Sequence, residues 1–111
     1  MAMARVLVSE ADPDVRRLLG VLVERLGHEA IVLDPSAEVP PRADLLLLDA
    51  AAPFARRQLG LARLFFPDLP VICMGAFRDG LDDVSPAAVL EKPFATEALE
   101  DAIGSLVASP V

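Results

Sequence analysis

The sequence predicts an α/β protein, a three-layer sandwich in which helices cover both faces of a five-stranded parallel sheet. Three observations predict it. Short, almost purely apolar runs alternate with longer amphipathic stretches, the pattern of βα units rather than of hairpins or helical bundles. One run, Asp44-Leu45-Leu46-Leu47-Leu48-Asp49, is continuously apolar between two acids, as a strand buried on both faces must be. Apolar residues make up 54% of the 111, enough for a packed core at this size.

Each element follows in order. Val6-Leu7-Val8 is the first short strand. Asp12-Pro13-Asp14 starts a helix, with Asp at the N-cap, Pro at the first helical position and a second acid at the positive end of the dipole. Val15, Leu18, Leu19, Leu22 and Leu26 then recur on one helical face, and Gly27 closes the helix. Ala30 to Leu33 is the second strand. The stretch from Asp34 to Ala43 holds Pro35, Pro40 and Pro41, which leaves no room for a full helix. Asp44 to Asp49 is the third strand, and Phe54 to Phe66 a helix stopped by Pro67. Val71-Ile72-Cys73-Met74 is the fourth strand. Arg78 to Ser85 is polar and supports at most two helical turns. Ala88-Val89-Leu90 is the fifth strand, and Thr96 to Val107 the last helix, with Leu99, Ile103, Leu106 and Val107 inward. No linker or repeat divides the chain, so residues 1–111 read as one domain with its core in 4–108 and no output domain after the last helix.

Composition excludes several function classes. Seventeen acidic residues against ten basic give a net charge of -7, which disfavours nucleic-acid backbones and anionic membrane surfaces. No apolar run spans a bilayer and no secretory signal opens the chain. The lone Cys73 cannot form an internal disulfide, which points to a reducing, cytoplasmic setting. With one His and one Cys, the usual nucleophilic hydrolase sets are ruled out. His28, directly after Gly27, reads as a surface residue and Cys73 as core. Arg16-Arg17 and Arg56-Arg57 read as solvated helix-surface pairs. The five phenylalanines read as packing, with one of them available at a partner face.

In open parallel sheets, ligands bind beyond the carboxyl ends of the strands. Those ends here carry Ser9-Glu10-Ala11-Asp12, then Asp49, then Gly75-Ala76, then Glu91-Lys92-Pro93. Any one of these charges is explained by a wet strand end. Two acids and a lysine converging on one edge are better explained as a site. Lys92 is the only lysine among the ten basic residues, and its compact ammonium suits contact with a phosphate oxygen or a carboxylate.

These residues resemble those of a response-regulator receiver domain. Arg5-Val6-Leu7-Val8-Ser9-Glu10-Ala11-Asp12-Pro13-Asp14-Val15-Arg16 is similar to that family's opening. Asp44 to Asp49, with Pro53 four residues on, is similar to its phosphoacceptor strand. Phe66-Pro67-Asp68-Leu69-Pro70-Val71-Ile72 is similar to its approach to strand four, and Lys92-Pro93-Phe94 to its lysine motif. The resemblance covers nearly the whole chain. It implies a flavodoxin-like fold with strand order 2-1-3-4-5, here with helix 2 missing or reduced and helix 4 shortened. It implies phosphorylation of Asp49 by a histidine kinase or phosphotransfer protein, with Lys92 beside it. It also implies Mg²⁺ at Glu10, Asp49 and the backbone carbonyl of Ala51.

The departures from the family pattern set the finer expectations. Ala11 stands where the family has the acid that binds Mg²⁺ directly. Gly75 replaces the hydroxyl residue at the end of strand four, and Val89 the switch aromatic on strand five. Asp12 is at an N-cap position, where its oxygens are taken by backbone N–H groups, so it does not substitute. Two carboxylates and a lysine carry a net charge of about -1 rather than -2, so Mg²⁺ binding is expected to be weak or absent. The expected function is that of a stand-alone, atypical receiver in bacterial two-component phosphorelay signalling. It is no enzyme beyond self-phosphotransfer onto Asp49. The alternative is a phosphorylation-independent pseudo-receiver acting through protein contacts. Expected partners are a kinase or phosphotransfer protein, another signalling protein, or a second copy of the chain; nucleic acid and membrane are not expected. Ala11→Asp joined with Gly75→Thr is expected to raise labelling of Asp49.

Overall fold

The computed structural model describes residues 3–34, 42–75, 86–91 and 94–107. In chain order these form β1 (Arg5–Ser9), α1 (Pro13–Arg25), β2 (Glu29–Val32), β3 (Leu45–Asp49), α2 (Ala55–Phe65), β4 (Val71–Met74), β5 (Ala88–Leu90) and α3 (Thr96–Val107). The strands make one sheet in the order β2-β1-β3-β4-β5, with every neighbouring pair parallel. That is the order the receiver-domain resemblance implies. β1 runs one residue beyond expectation at each end and β2 starts and ends one residue earlier than expected, so that the charged Arg5 and Glu29 join the ladder and pair in register.

Alternation along each strand sorts the core into two layers. Val6, Val8, Leu45, Leu47, Ile72 and Met74 face α1 and α3, where they meet Leu19, Val23, Leu99 and Ile103. Leu7, Leu46, Leu48, Val71 and Cys73 face the other way, onto Ala55, Leu59 and Ala62 of α2. The leucines of β3 are buried on both sides of the sheet, each contributing about 1.5–3 kcal/mol by area removed from water. In α3, Leu99 and Ile103 are buried as expected and Leu106 packs at the margin.

Three sequence expectations need correction. Leu18 is 56% exposed, and Val23 takes the core position instead. At 100° per residue, Val15, Leu19, Leu22, Val23 and Leu26 form one arc, and Leu18 falls just outside it. The arc is shifted toward Gly20, where a Cβ would stand 3.4 Å from the Val32 Cγ2 and the helix comes close to β2. His28 is half-buried rather than a surface residue, because its Nδ1 accepts the backbone N–H of Ala4 at 3.0 Å. Arg16 is not a solvated pair with Arg17; its role is described below. The helix start at Asp12 and its end at Gly27, whose φ is +92°, are as expected. The proline-rich stretch 35–41, the polar stretch 78–85 and the Val107 side chain lie outside the described residues.

Candidate functional site

Register places the site. Ser9, the last residue of β1, pairs with Leu48, which brings the next residues, Glu10 and Asp49, side by side at the carboxyl edge of the sheet. Both carboxylates are nearly fully buried, Glu10 at 1% and Asp49 at 6% exposure. Burying two acids together demands donors. The Ala11 N–H supplies one, lying 2.8 Å from Glu10 Oε2 and 3.4 Å from Asp49 Oδ2. The Asp12 N–H also points at Glu10 Oε2, at 3.4 Å. The Ala51 N–H donates to Asp49 Oδ1 at 3.1 Å, which orients that carboxylate from the loop that follows it.

Asp12 does not join them. It is exposed, and its Oδ1 accepts from the N–H groups of Asp14 at 2.8 Å and Val15 at 3.4 Å, as an N-cap should. No group of three or more His, Cys, Asp and Glu able to hold a metal occurs among the described residues. Arg16 reaches back along α1 to donate from Nε to the Glu10 carbonyl at 2.9 Å and from Nη2 to the Ala11 carbonyl at 3.3 Å. It therefore clamps the loop that presents Ala11, a role that depends on the path of that loop and that the sequence pair Arg16-Arg17 does not reveal.

Gly75, directly after β4, is buried with φ +111°, and its N–H bonds the Leu90 carbonyl at 2.9 Å. A Cβ built there would sit 4.0 Å from Asp49 Oδ1, so position 75 faces the Asp49 carboxylate. The space is open but the backbone is not, since only glycine adopts this φ without strain. Gly75→Thr, expected to help restore the site, therefore carries a conformational cost of its own. Val89 is 48% exposed, on the opposite side of β5 from Ala88 and Leu90. Lys92, Pro93 and Ala76 lie outside the described residues.

One buried polar residue escaped the sequence reading. Gln58 of α2 is 3% exposed; its Oε1 accepts the hydroxyl proton of Ser9 while its Nε2 donates to the Asp34 carbonyl at 2.9 Å. The signal was present, because Ala55, Gln58, Leu59 and Ala62 share one helical face and only Gln58 is polar. Cys73 is core as expected; burial pushes its thiol up, with the Arg63 guanidinium pulling weakly the other way.

The sheet order and the helices on both faces match a known architecture. The receiver domain of sensor histidine kinase PA1611 from Pseudomonas aeruginosa PAO1 is similar over 97% of this chain and 100% of its own, with 22% identity and a TM-score of 0.76. This chain has a receiver-domain fold. Vibrio cholerae chemotaxis protein CheY4 shares that fold over 96% of this chain and 100% of its own, at 18% identity and a TM-score of 0.78. A response-regulator receiver domain protein from Clostridium thermocellum covers 95% of this chain and 94% of its own, at 20% identity and a TM-score of 0.78. The PA1611 receiver carries a magnesium ion in its active-site cleft. No protein-family model matches the sequence, and no curated protein does. Receiver-fold neighbours belong to signalling proteins, and no helix among the described residues is long and apolar enough to cross a membrane.

Proposed function

We propose that the chain is an atypical receiver domain of two-component phosphorelay signalling, with Asp49 as phosphoacceptor. The observation that carries the reading is the buried Asp49 carboxylate at the carboxyl edge of the sheet. It is oriented by the Ala51 N–H and stands beside a second buried acid. An Asp49 oxygen attacks phosphorus, forming the acyl phosphate. The bond from phosphorus to the donor breaks, and the donor leaves with its electron pair. The donor is a phosphohistidine of a kinase or phosphotransfer protein, or a small acyl phosphate. Lys92, by its family position, pairs with the incoming phosphoryl oxygens. The chain is otherwise no enzyme, and it acts in the cytoplasm through protein contacts.

The donor set fits a hard divalent cation. Glu10 and Asp49 bring two adjacent carboxylates, and the family position adds the backbone carbonyl of Ala51. Glu10 and Asp49 would hold Mg²⁺ there, and the bound ion would supply positive charge against the transferring group. Its affinity is low, because position 11 offers only an exposed alanine and Asp12 is committed to its cap. Meanwhile the Ala11 N–H already offsets part of the charge on both acids.

A second reading is favoured by Gly75. As a glycine it lacks the side-chain hydroxyl through which phosphorylation is read in the family, and its positive φ makes a replacement strained, so the domain would then bind a partner in one state, as a pseudo-receiver. Intact-mass analysis after acetyl phosphate, with and without Mg²⁺, separates the two. Gain of one phosphoryl group in wild type and none in Asp49→Asn supports the phosphoacceptor. No gain under either condition, with unchanged partner binding by Asp49→Asn, supports the pseudo-receiver.

A further inference from the structure

The Ser9–Gln58 pair is out of place chemically. It sits at the top of a layer otherwise made of Leu, Ala, Val and Cys, where a second pair of apolar side chains would pack without needing partners. Hydrogen bonding decides its geometry. The Asp34 carbonyl can only accept, so the Gln58 amide nitrogen must face it, the amide oxygen must face Ser9, and the Ser9 hydroxyl must donate. Each polar atom in the bridge thus has a single arrangement, which an apolar contact would not impose.

What this arrangement holds is the chain leaving Asp49. Between Asp49 and Gln58 the backbone is a succession of closed turns. The Ala52 N–H bonds the Asp49 carbonyl at 3.1 Å, the Ala55 N–H the Ala52 carbonyl at 3.0 Å, and the Gln58 N–H the Phe54 carbonyl at 3.0 Å. Within that run the Ala51 N–H orients Asp49 Oδ1. On the other side, Ser9 directly precedes Glu10 and pairs with Leu48. Gln58 therefore ties the far end of the Asp49 turn to β1 at the residue before Glu10 and to the chain just after β2.

Resting on the phosphoacceptor reading of Asp49, we propose that Gln58 is a positioning residue for this site. Bridged to Ser9 and Asp34, it fixes the rotation and height of α2, and through residues 50–54 it sets the aim of the Asp49 carboxylate and of the Ala51 carbonyl.

The test is a cycle of Ser9→Ala, Gln58→Leu and the double variant, each followed by urea unfolding, amide hydrogen exchange and acetyl-phosphate labelling with Mg²⁺. Ser9→Ala strands the Gln58 amide oxygen, and Gln58→Leu strands the Ser9 hydroxyl and the Asp34 carbonyl, so each unfolds at lower urea; the double variant regains the part owed to the Ser9–Gln58 contact and keeps only the cost of the Asp34 carbonyl. Positioning predicts that the double variant still labels about tenfold more slowly, as loss of an outer support typically does. It also predicts that its Ala51 and Ala52 amides exchange faster while those of β3 and β4 do not. A purely structural pair predicts that labelling and exchange recover together with stability, and that result overturns the proposal. Should wild type take no phosphoryl group while the Ala51 and Ala52 amides still loosen in the double variant, positioning stands and the phosphoacceptor reading falls.

Discussion

Replacing Gly75 tests the site most directly, because its cost can be worked from the backbone alone. At φ +111° an L-residue is strained, while the Cβ of an alanine would meet nothing nearer than Asp49 Oδ1 at 4.0 Å, an ordinary contact. The penalty of Gly75→Ala is therefore conformational, about 1–2 kcal/mol, within the range for a residue held in a sparsely populated backbone region. For a chain of 111 residues that lowers Tm by roughly 4–8 °C. Gly75→Thr costs more, since a β-branched side chain is more restricted again. Urea unfolding of wild type, Gly75→Ala and Gly75→Thr at constant pH should rank them in that order, with labelling by acetyl phosphate no higher in the threonine variant than in wild type. The reasoning is refuted if Gly75→Ala unfolds within about 0.5 kcal/mol of wild type, the range of an unconstrained surface change. It is equally refuted if Gly75→Thr labels faster.

Three further outcomes follow from the same geometry. Ala11→Asp places a third carboxylate beside Glu10 and Asp49. It should melt lower than wild type in chelator by ~1 kcal/mol and recover about 2.7 kcal/mol at Mg²⁺ a hundredfold above its Kd; an unchanged response to Mg²⁺ would show that position 11 does not face the metal. Asp12→Ala should lose about 1 kcal/mol with the helix cap and leave the Mg²⁺ response of the fold unaltered, because Asp12 Oδ1 serves Asp14 and Val15; a lost response would make Asp12 a ligand. Burial raises the Cys73 thiol from its ordinary 9.0, so the unfolded chain gives up its proton first as pH rises. Stability is then whole below about pH 9 and declines as pH climbs through the folded value. With no tyrosine in the chain to titrate alongside, Cys73→Val should flatten the alkaline fall in urea midpoint; a fall that persists unchanged would place its origin elsewhere.

How far the fold could be read from the sequence depended on which signals were local. The β3 run of four leucines announced a doubly covered strand, and Asp12, Pro13 and Gly27 marked both ends of α1 by backbone chemistry alone. Leu18 was misjudged because apolar spacing of three and four fits two neighbouring arcs of a helix, and the choice between them was made by the close approach at Gly20. Glu10 and Asp49 could be placed at one edge because strand ends in a parallel sheet share a side. Their shared donor could not, since the Ala11 N–H is the same in every sequence. His28 and Arg16 reach backbone atoms whose positions follow from the fold rather than from neighbours in the chain. Gly75 was visible as a glycine but not as a positive φ, and that difference separates a side chain that is merely missing from one whose return is strained.

That both buried acids lean on the N–H of residue 11 also bears on how the position can vary. The donor belongs to the main chain, so nineteen of the twenty amino acids would supply it equally, and only proline would take it away. An acid there can be lost through ordinary point changes without exposing Glu10 and Asp49 to an unscreened encounter, and it can be regained the same way. The site can thus drift between stronger and weaker metal binding while its two carboxylates keep their places. Ala11→Pro is the substitution that closes this neutral route.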